Sequence, residues 1–415
     1  MYANETYLPA DENELSALIL QAGEQSHPLE ICGSRTKRSI GRPMQTAARL
    51  SMRGMSGIML YEPTELVLSA RTGTPLDDIE ALLEENGQEL AFEPSRWEHI
   101  IPPSPGASAR AEPLATIGGI FATNSSGPRR ILRGSARDHL IGIRAVNGLG
   151  EIIKSGGRVM KNVTGYDLSR GLAGTWGTLA ALTEVTMKVM PKAAETGSLV
   201  ILNLPDEAAV NAMCEAMKLP YEVSGTVHLP AEFVARLTNP DIAQLGVPIT
   251  VLRIENFPEA VSRRISELRE KLKPCGEIYQ LDHDRSRSFW KDIRTMKFLG
   301  QGEAPVWRLS TAPDRAPGLV STLRNHTDCH VAYEWSGGLI WLELPPSTDA
   351  GATIIRRVIA EFEADAMLVR AGQSARAAVD VFHPLPEAHM ALIRRMKDAF
   401  DPKRILNPGR IYAGI

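Results

Sequence analysis

Between residues 116 and 127 the chain reads Thr116-Ile117-Gly118-Gly119-Ile120-Phe121-Ala122-Thr123-Asn124-Ser125-Ser126-Gly127. Adjacent glycines let backbone approach a ligand without interference from Cβ, and successive free N–H groups can form an anion-binding nest suited to a pyrophosphate. Taken by itself the segment also fits a plain glycine-rich turn before a helix. A second small-residue loop, Gly33-Ser34-Arg35-Thr36-Lys37, follows the strand-like Ile31-Cys32 and brings basic side chains suited to phosphate. A third stretch, Gly156-Gly157-Arg158-Val159-Met160-Lys161-Asn162-Val163-Thr164-Gly165-Tyr166-Asp167-Leu168, leads into Gly174-Thr175-Trp176-Gly177-Thr178-Leu179 and then Thr183-Glu184-Val185-Thr186.

Around these loops, residues 29–32, 65–70, 140–146 and 182–190 read as strands. A helix is predicted over 75–85, where Pro75 suits the first turn, Leu76, Ile79, Leu82 and Leu83 share a face, and Asn86-Gly87 stops it. After Pro191 glycine thins and amphipathic spacing appears, as in Val261, Ile265, Leu268 and Leu272 or Ala209, Val210, Met213, Ala216 and Met217. Strand-like runs at 249–255, 306–310, 329–335 and 339–344 alternate with such helices, and a last helix over 389–400 precedes a turn-rich tail. At 415 residues the chain is longer than one core usually supports, so two domains are expected.

Several classes are disfavoured. A formal charge of −3 from 46 basic and 49 acidic residues gives no field for nucleic acid or anionic lipid. Cys32, Cys214, Cys275 and Cys329 are scattered, without spacing for zinc or an iron–sulfur cluster, and read as reduced structural thiols. Glu5, Asp11, Glu12 and Glu14 crowd an N-terminus with no basic region before an apolar stretch, so secretion is not expected. No run approaches the ~18 apolar residues of a membrane span. A G-x-G-x-x-G between strand and helix with an acidic residue about twenty positions on is absent, which argues against NAD.

Together these glycine and Lys161-Asn162-Val163-Thr164-Gly165-Tyr166-Asp167-Leu168 signatures resemble the PCMH-type FAD-binding family that includes vanillyl-alcohol oxidase and bacterial glycolate and D-lactate dehydrogenases. The resemblance covers about residues 10–192 and returns at the C-terminus. It implies an α+β fold: a two-part PCMH-type FAD-binding domain (1–192 with a returning segment, 372–415) and a second α/β cap domain built on an antiparallel sheet (193–371). By resemblance, Gly33, Ser34, Arg35, Thr36 and Lys37, with Thr116, Ile117, Gly118, Gly119, Ala122, Asn124 and Gly127, clasp the FAD pyrophosphate, and a Gly134-Ser135 to Asp138 unit follows. The Lys-Asn-Val motif and Gly177-Thr178 line the flavin, Glu184 and Val185 face the adenine and ribose, and Asn407, Gly409 and Arg410 fold back toward the isoalloxazine. No histidine follows Ser34, where covalent members carry their attachment, so FAD is expected to be non-covalent.

Gly127-Pro128-Arg129-Arg130 and the segment from Val159 to Arg170 look like the shorter FAD-binding subunits of bacterial glycolate oxidases. That implies a 2-hydroxy acid substrate, a larger FAD-binding catalytic subunit and an iron–sulfur subunit as partners, and a cytoplasmic location with any inner-membrane contact made through them. A self-sufficient alcohol or sugar-acid oxidoreductase and a non-catalytic flavin scaffold are the alternatives. Catalytic members carry an H-x-H-x-G-D-x-N signature in the cap, which none of the nine histidines reproduces. His383 between prolines reads as a loop residue before a flavin-side base. Arg35, Lys37, Arg129 and Arg130 suit a substrate carboxylate, though surface solvation or the cofactor phosphates account for them at least as well, and Trp307, Trp335 and Trp341 read as core.

Overall fold

A computed structural model describes residues 5–101, 115–158, 165–300 and 302–415. The stretch Val159-Met160-Lys161-Asn162-Val163-Thr164 of the proposed flavin-lining motif lies outside the described residues.

Among the described residues the N-terminal part holds three sheets, the smallest pairing Gln88–Glu89 with Met190–Pro191. A small parallel sheet orders Thr6–Tyr7, Ala48–Ser51 and Leu29–Cys32. Its neighbour is an antiparallel sheet ordered Ile58–Glu62, Val67–Arg71, Ala180–Lys188, Leu140–Asn147, Ile152–Gly156. The helix Glu12–Glu24 starts where Asp11 accepts from the N–H groups of Asn13 and Glu14, satisfying donors that a helix start leaves free. It buries Leu15, Ile19 and Ala22 beside Leu29 and Leu50 of the parallel sheet. Leu76–Glu85 is the helix expected at 75–85; Asp77 and Asp78 suit its positive N-terminal end, and Leu76, Ile79 and Leu83 are its buried stripe.

From residue 195 the chain builds one eight-stranded antiparallel sheet, ordered Ile278–Leu281, Glu195–Leu202, Ile249–Asn256, Val223–Leu229, His330–Glu334, Leu339–Glu343, Val306–Ser310, Asp365–Arg370. Leu199, Leu252, Leu309 and Leu342 face the helices Asp206–Lys218, Pro258–Leu272, Ala316–Arg324 and Ala352–Glu361 in one core. Their chain neighbours Val200, Val251 and Trp341 face the other way, against the helix His283–Arg294 and against Trp97, Ile100 and Trp176 of the N-terminal part. Both faces are therefore buried, which is why these strands read as continuous apolar runs.

The C-terminal helix Glu387–Phe400 and the tail after it return to the N-terminal part. Leu406 bridges Leu29 in parallel, with Leu29 N–H donating to Ile405 O at 2.7 Å and Asn407 N–H donating to Leu29 O at 3.0 Å. Charged contacts tie loops of the N-terminal part to the strand Ile249–Asn256. Arg253 donates to both oxygens of Glu93 at 3.0 and 2.9 Å, and Arg129 to both oxygens of Glu255 at 2.9 and 2.6 Å. Burial raises the Glu255 carboxyl, but Arg253 and Arg129 outweigh it and hold it far below the usual carboxylate range. Among the described residues no helix is long and apolar enough to cross a membrane.

Candidate functional site

The strand Leu29–Cys32 runs out into residues 33–37, which form one wall of a cleft; the helix Ile117–Thr123 forms another. The cavity between them has a volume of about 90 Å³. From the sequence candidates it brings together Gly33, Ser34, Arg35, Thr36, Lys37, Thr116, Gly118, Gly119, Ala122, Gly177 and Arg410.

The paired glycines form the first turn of a helix and do not open into a free nest. Ile117 N–H donates to Thr74 O at 3.0 Å, Gly118 N–H to Thr72 O at 2.9 Å, and Gly119 N–H to the capping Thr116 Oγ1 at 3.4 Å. The two differ in surroundings. A Cβ on Gly118 would sit 2.5 Å from Thr72 Cβ, whereas one on Gly119 would meet only Thr116 Oγ1 at 3.5 Å, so Gly119 presents bare backbone to the cleft. Gly33 allows a close crossing, since its Cβ would lie 2.2 Å from Thr116 Oγ1.

Charge is arranged with care around the 33–37 loop. Glu30, 1% exposed, accepts from Nε of Arg35, Arg38 and Arg49 at 3.3, 2.9 and 3.0 Å. Burial raises its carboxyl, and the three guanidinium groups outweigh that and hold it below the usual range. Lys37 is buried, which pushes its ammonium pKa down, with Glu98 opposing the shift. Arg410 lies over the Trp176 ring at 5.3 Å and donates to Lys37 O at 2.9 Å, while its Nε is buried without a partner. Burial lowers its pKa to about 10. A buried ammonium and a guanidinium with a free Nε, beside the Cβ-free surface of Gly119, fit the diphosphate of a dinucleotide.

Other candidates lie away from this cleft. Ile117 and Val185 are fully buried in the core. Asn124 caps the helix in a left-handed conformation and accepts from Arg137 N–H at 2.9 Å. Gly127 O accepts from Trp335 Nε1 at 3.2 Å. Ser135 and Asp138 make a capping box after Gly134. Thr178 donates to Thr175 O at 2.7 Å, and Glu184 accepts from Ser69 at 2.7 Å. Asn407 accepts from Ile31 N–H at 2.8 Å and donates to Trp176 O at 2.8 Å, so it fastens two walls of the cleft to each other. Gly177 has φ of +71° and faces that amide, whose Nδ2 would be 2.8 Å from any Cβ there. Gly409 turns the tail at φ +71°.

Sequence reasoning passed over Glu30, Met52, Thr72 and Leu182, which also line the cleft. Glu30 carried a signal, a carboxylate between Leu29 and Ile31 in an apolar strand. His383 sits 3.4 Å from Asp365 and lines neither this cleft nor the cavity beside it. Trp307 and Trp341 are buried in the core, as expected, and Trp341 and Trp335 both border a second cavity beside the cleft.

Fold and cleft together define a flavoprotein of the PCMH type. Residues 5–156 match the FAD binding domain family, and residues 384–411 match the C-terminal domain of FAD linked oxidases. The chain is 32% identical to glycolate oxidase subunit GlcE of Escherichia coli over 396 residues, covering 95% of each. It is 25% identical to a D-lactate dehydrogenase of Archaeoglobus fulgidus, over 97% of this chain and 90% of that one. Among solved structures, 4-ethylphenol oxidase from Gulosibacter chungangensis superposes with a TM-score of 0.71 at 14% identity, covering 98% of this chain and 89% of that one. The chain belongs to the family of FAD-linked oxidoreductases that contains glycolate oxidase subunit GlcE, and its cofactor is FAD.

Proposed function

We propose that the protein is the FAD-holding subunit of a 2-hydroxy acid dehydrogenase complex that oxidises glycolate, with D-lactate as a second candidate, to the 2-oxo acid. Its partners are a larger FAD-binding subunit and an iron–sulfur subunit that takes the electrons onward. The observation that carries this reading is the end-to-end similarity to GlcE, together with a cleft walled by the two glycine segments. FAD, when bound, supplies a two-electron acceptor for the hydride of an alcohol carbon.

The chain's own residues do the holding. Gly119 gives backbone access, Lys37 and Arg410 face the diphosphate, and Asn407 keeps the 33–37 wall and the Trp176-Gly177 wall in register. The tie is non-covalent in this proposal, since Arg35 occupies the position after Ser34 and is ion-paired to Glu30. Among the described residues no three metal-ligating side chains converge.

The test is a dye-linked assay on the purified chain and on the reconstituted complex, with glycolate and D-lactate. Turnover is expected only in the complex. Equal rates per flavin in both samples would overturn the dependent-subunit reading and favour a self-sufficient oxidoreductase.

A further inference from the structure

Parts of two segments singled out in the sequence, 127–138 and 165–170, lie outside the FAD cleft. The fold turns them outward. Arg133 and Arg137 stand exposed on the short helices Arg130–Arg133 and Ala136–His139, and Arg170 on Leu168–Leu172. Burial raises the Asp138 carboxyl, but hydrogen bonds from Ser135 and the nearby Arg137 and Arg170 outweigh it and hold it below the usual range. Burial lowers the pKa of His139, and the nearby Lys188 and Arg133 add to that.

Arg170 meets Asp167 at 3.5 Å with both side chains exposed, whereas Arg133, Arg137 and Lys188 form no ion pair among the described residues. Four cations thus stand with two carboxylates, on a chain whose formal charge is −3. Leu132 and Tyr166, 37% and 91% exposed, add apolar surface from the same segments. The face is fixed to a wall of the cleft. Asn124, which ends the helix Ile117–Thr123, accepts from Arg137 N–H at 2.9 Å, and Ser126 Oγ accepts from Ala136 N–H at 2.9 Å, while Thr123 lines the cleft itself.

We propose that this arginine face docks an acidic surface of the electron-accepting iron–sulfur subunit. The identity of that partner rests on the function proposed above; the docking face rests on uncompensated positive charge one residue from the cofactor cleft. An iron–sulfur cluster with its thiolate ligands is anionic, which favours a cationic face opposite it. Electrons also cross only where donor and acceptor come close, and this face adjoins the cleft. Redox encounters use small, charged interfaces, and two exposed apolar side chains among cations suit such an encounter better than a permanent apolar contact.

Biolayer interferometry of the FAD-loaded full-length chain against the purified iron–sulfur subunit and, separately, the larger flavoprotein subunit tests it. Binding of the iron–sulfur subunit is expected to weaken steeply with added salt. The triple variant Arg133→Glu, Arg137→Glu and Arg170→Glu should slow that association by roughly 10- to 1,000-fold at low salt, with FAD uptake and thermal midpoint kept. Arg263→Glu, exposed on the helix Pro258–Leu272, changes net charge alone and should leave the rate unchanged. Wild-type association in the triple variant, loss of its FAD binding, or reversals that weaken only the contact with the larger flavoprotein would overturn the docking face. Glycolate turnover by the reconstituted complex alongside any of these results leaves the function proposed above standing. No binding of the iron–sulfur subunit by the wild-type chain overturns both.

Discussion

Lys397 and Asp401, one helical turn apart, form a 2.8 Å ion pair with both side chains closed to solvent. The ammonium also donates to Thr178 O at 2.6 Å and Leu406 O at 3.1 Å, and the carboxylate accepts from the N–H groups of Ile405 and Leu406 at 3.1 and 2.8 Å. One buried pair thus fastens the last helix, the tail and Thr178, the residue after the cleft-lining Gly177. Lys397→Met should strand Asp401 as an uncompensated buried charge and lower stability by about 3–5 kcal/mol in urea denaturation. A midpoint like that of the wild type would show that the pair is dispensable.

Because Asn407 holds Ile31 and Trp176 together and Arg410 lines the cleft, deleting residues 405–415 should weaken flavin retention. The check is FAD content after gel filtration. Full occupancy with an unchanged flavin spectrum would contradict the role given to the tail.

Adjacent glycines should respond in opposite ways. Gly118→Ala forces Cβ against Thr72 Cβ at 2.5 Å and Thr72 O at 2.8 Å, an overpacking expected to cost about 1–3 kcal/mol of stability. Gly119→Val has room in the protein alone and should leave stability nearly unchanged while lowering FAD affinity. Thermal melts of the FAD-free chain and fluorescence titration with FAD separate the two, and equal FAD affinity in Gly119→Val and wild type would show that this backbone does not meet the cofactor.

Acid precipitation should leave the flavin in the supernatant. A yellow pellet would mean a covalent link.

Glu334 makes stability depend on pH. Its carboxyl is raised from 4.5 to about 7, first by burial, with Glu93 adding to the shift and Trp341, Arg308 and Arg253 opposing it. The folded state therefore binds more protons than the unfolded one between those values, and this group's contribution to stability falls as pH rises from about 4.5 to about 7. The full penalty, up to roughly 3 kcal/mol, applies above that window. Glu334→Gln, which keeps an oxygen for Trp341, should melt higher than wild type at pH 8, with the difference shrinking toward pH 5. A difference independent of pH would show that Glu334 titrates normally.

Much of the architecture could be read from the chain. The apolar runs at 249–255, 306–310 and 339–344 and the stripe Val261, Ile265, Leu268, Leu272 are local patterns, and the structure forms strands at Ile249–Asn256, Val306–Ser310 and Leu339–Glu343 and the helix Pro258–Leu272 from them. Adjacent glycines marked the 116–122 wall and small and basic residues the 33–37 wall, because residue type is visible without a structure. What each residue in those segments does was decided elsewhere. Gly118 and Gly119 look alike until Thr72, far away in sequence, packs against one of them. Arg129 and Arg130 are also neighbours, yet Glu255 and Glu89 neutralise the first while the second faces Trp335 in a cavity. Local pattern determines which face of an element is buried, since that depends on the helical or strand period alone. Whether a buried charge is matched or left to meet a ligand depends on a few ångströms between segments more than a hundred residues apart, and only tertiary packing sets that distance.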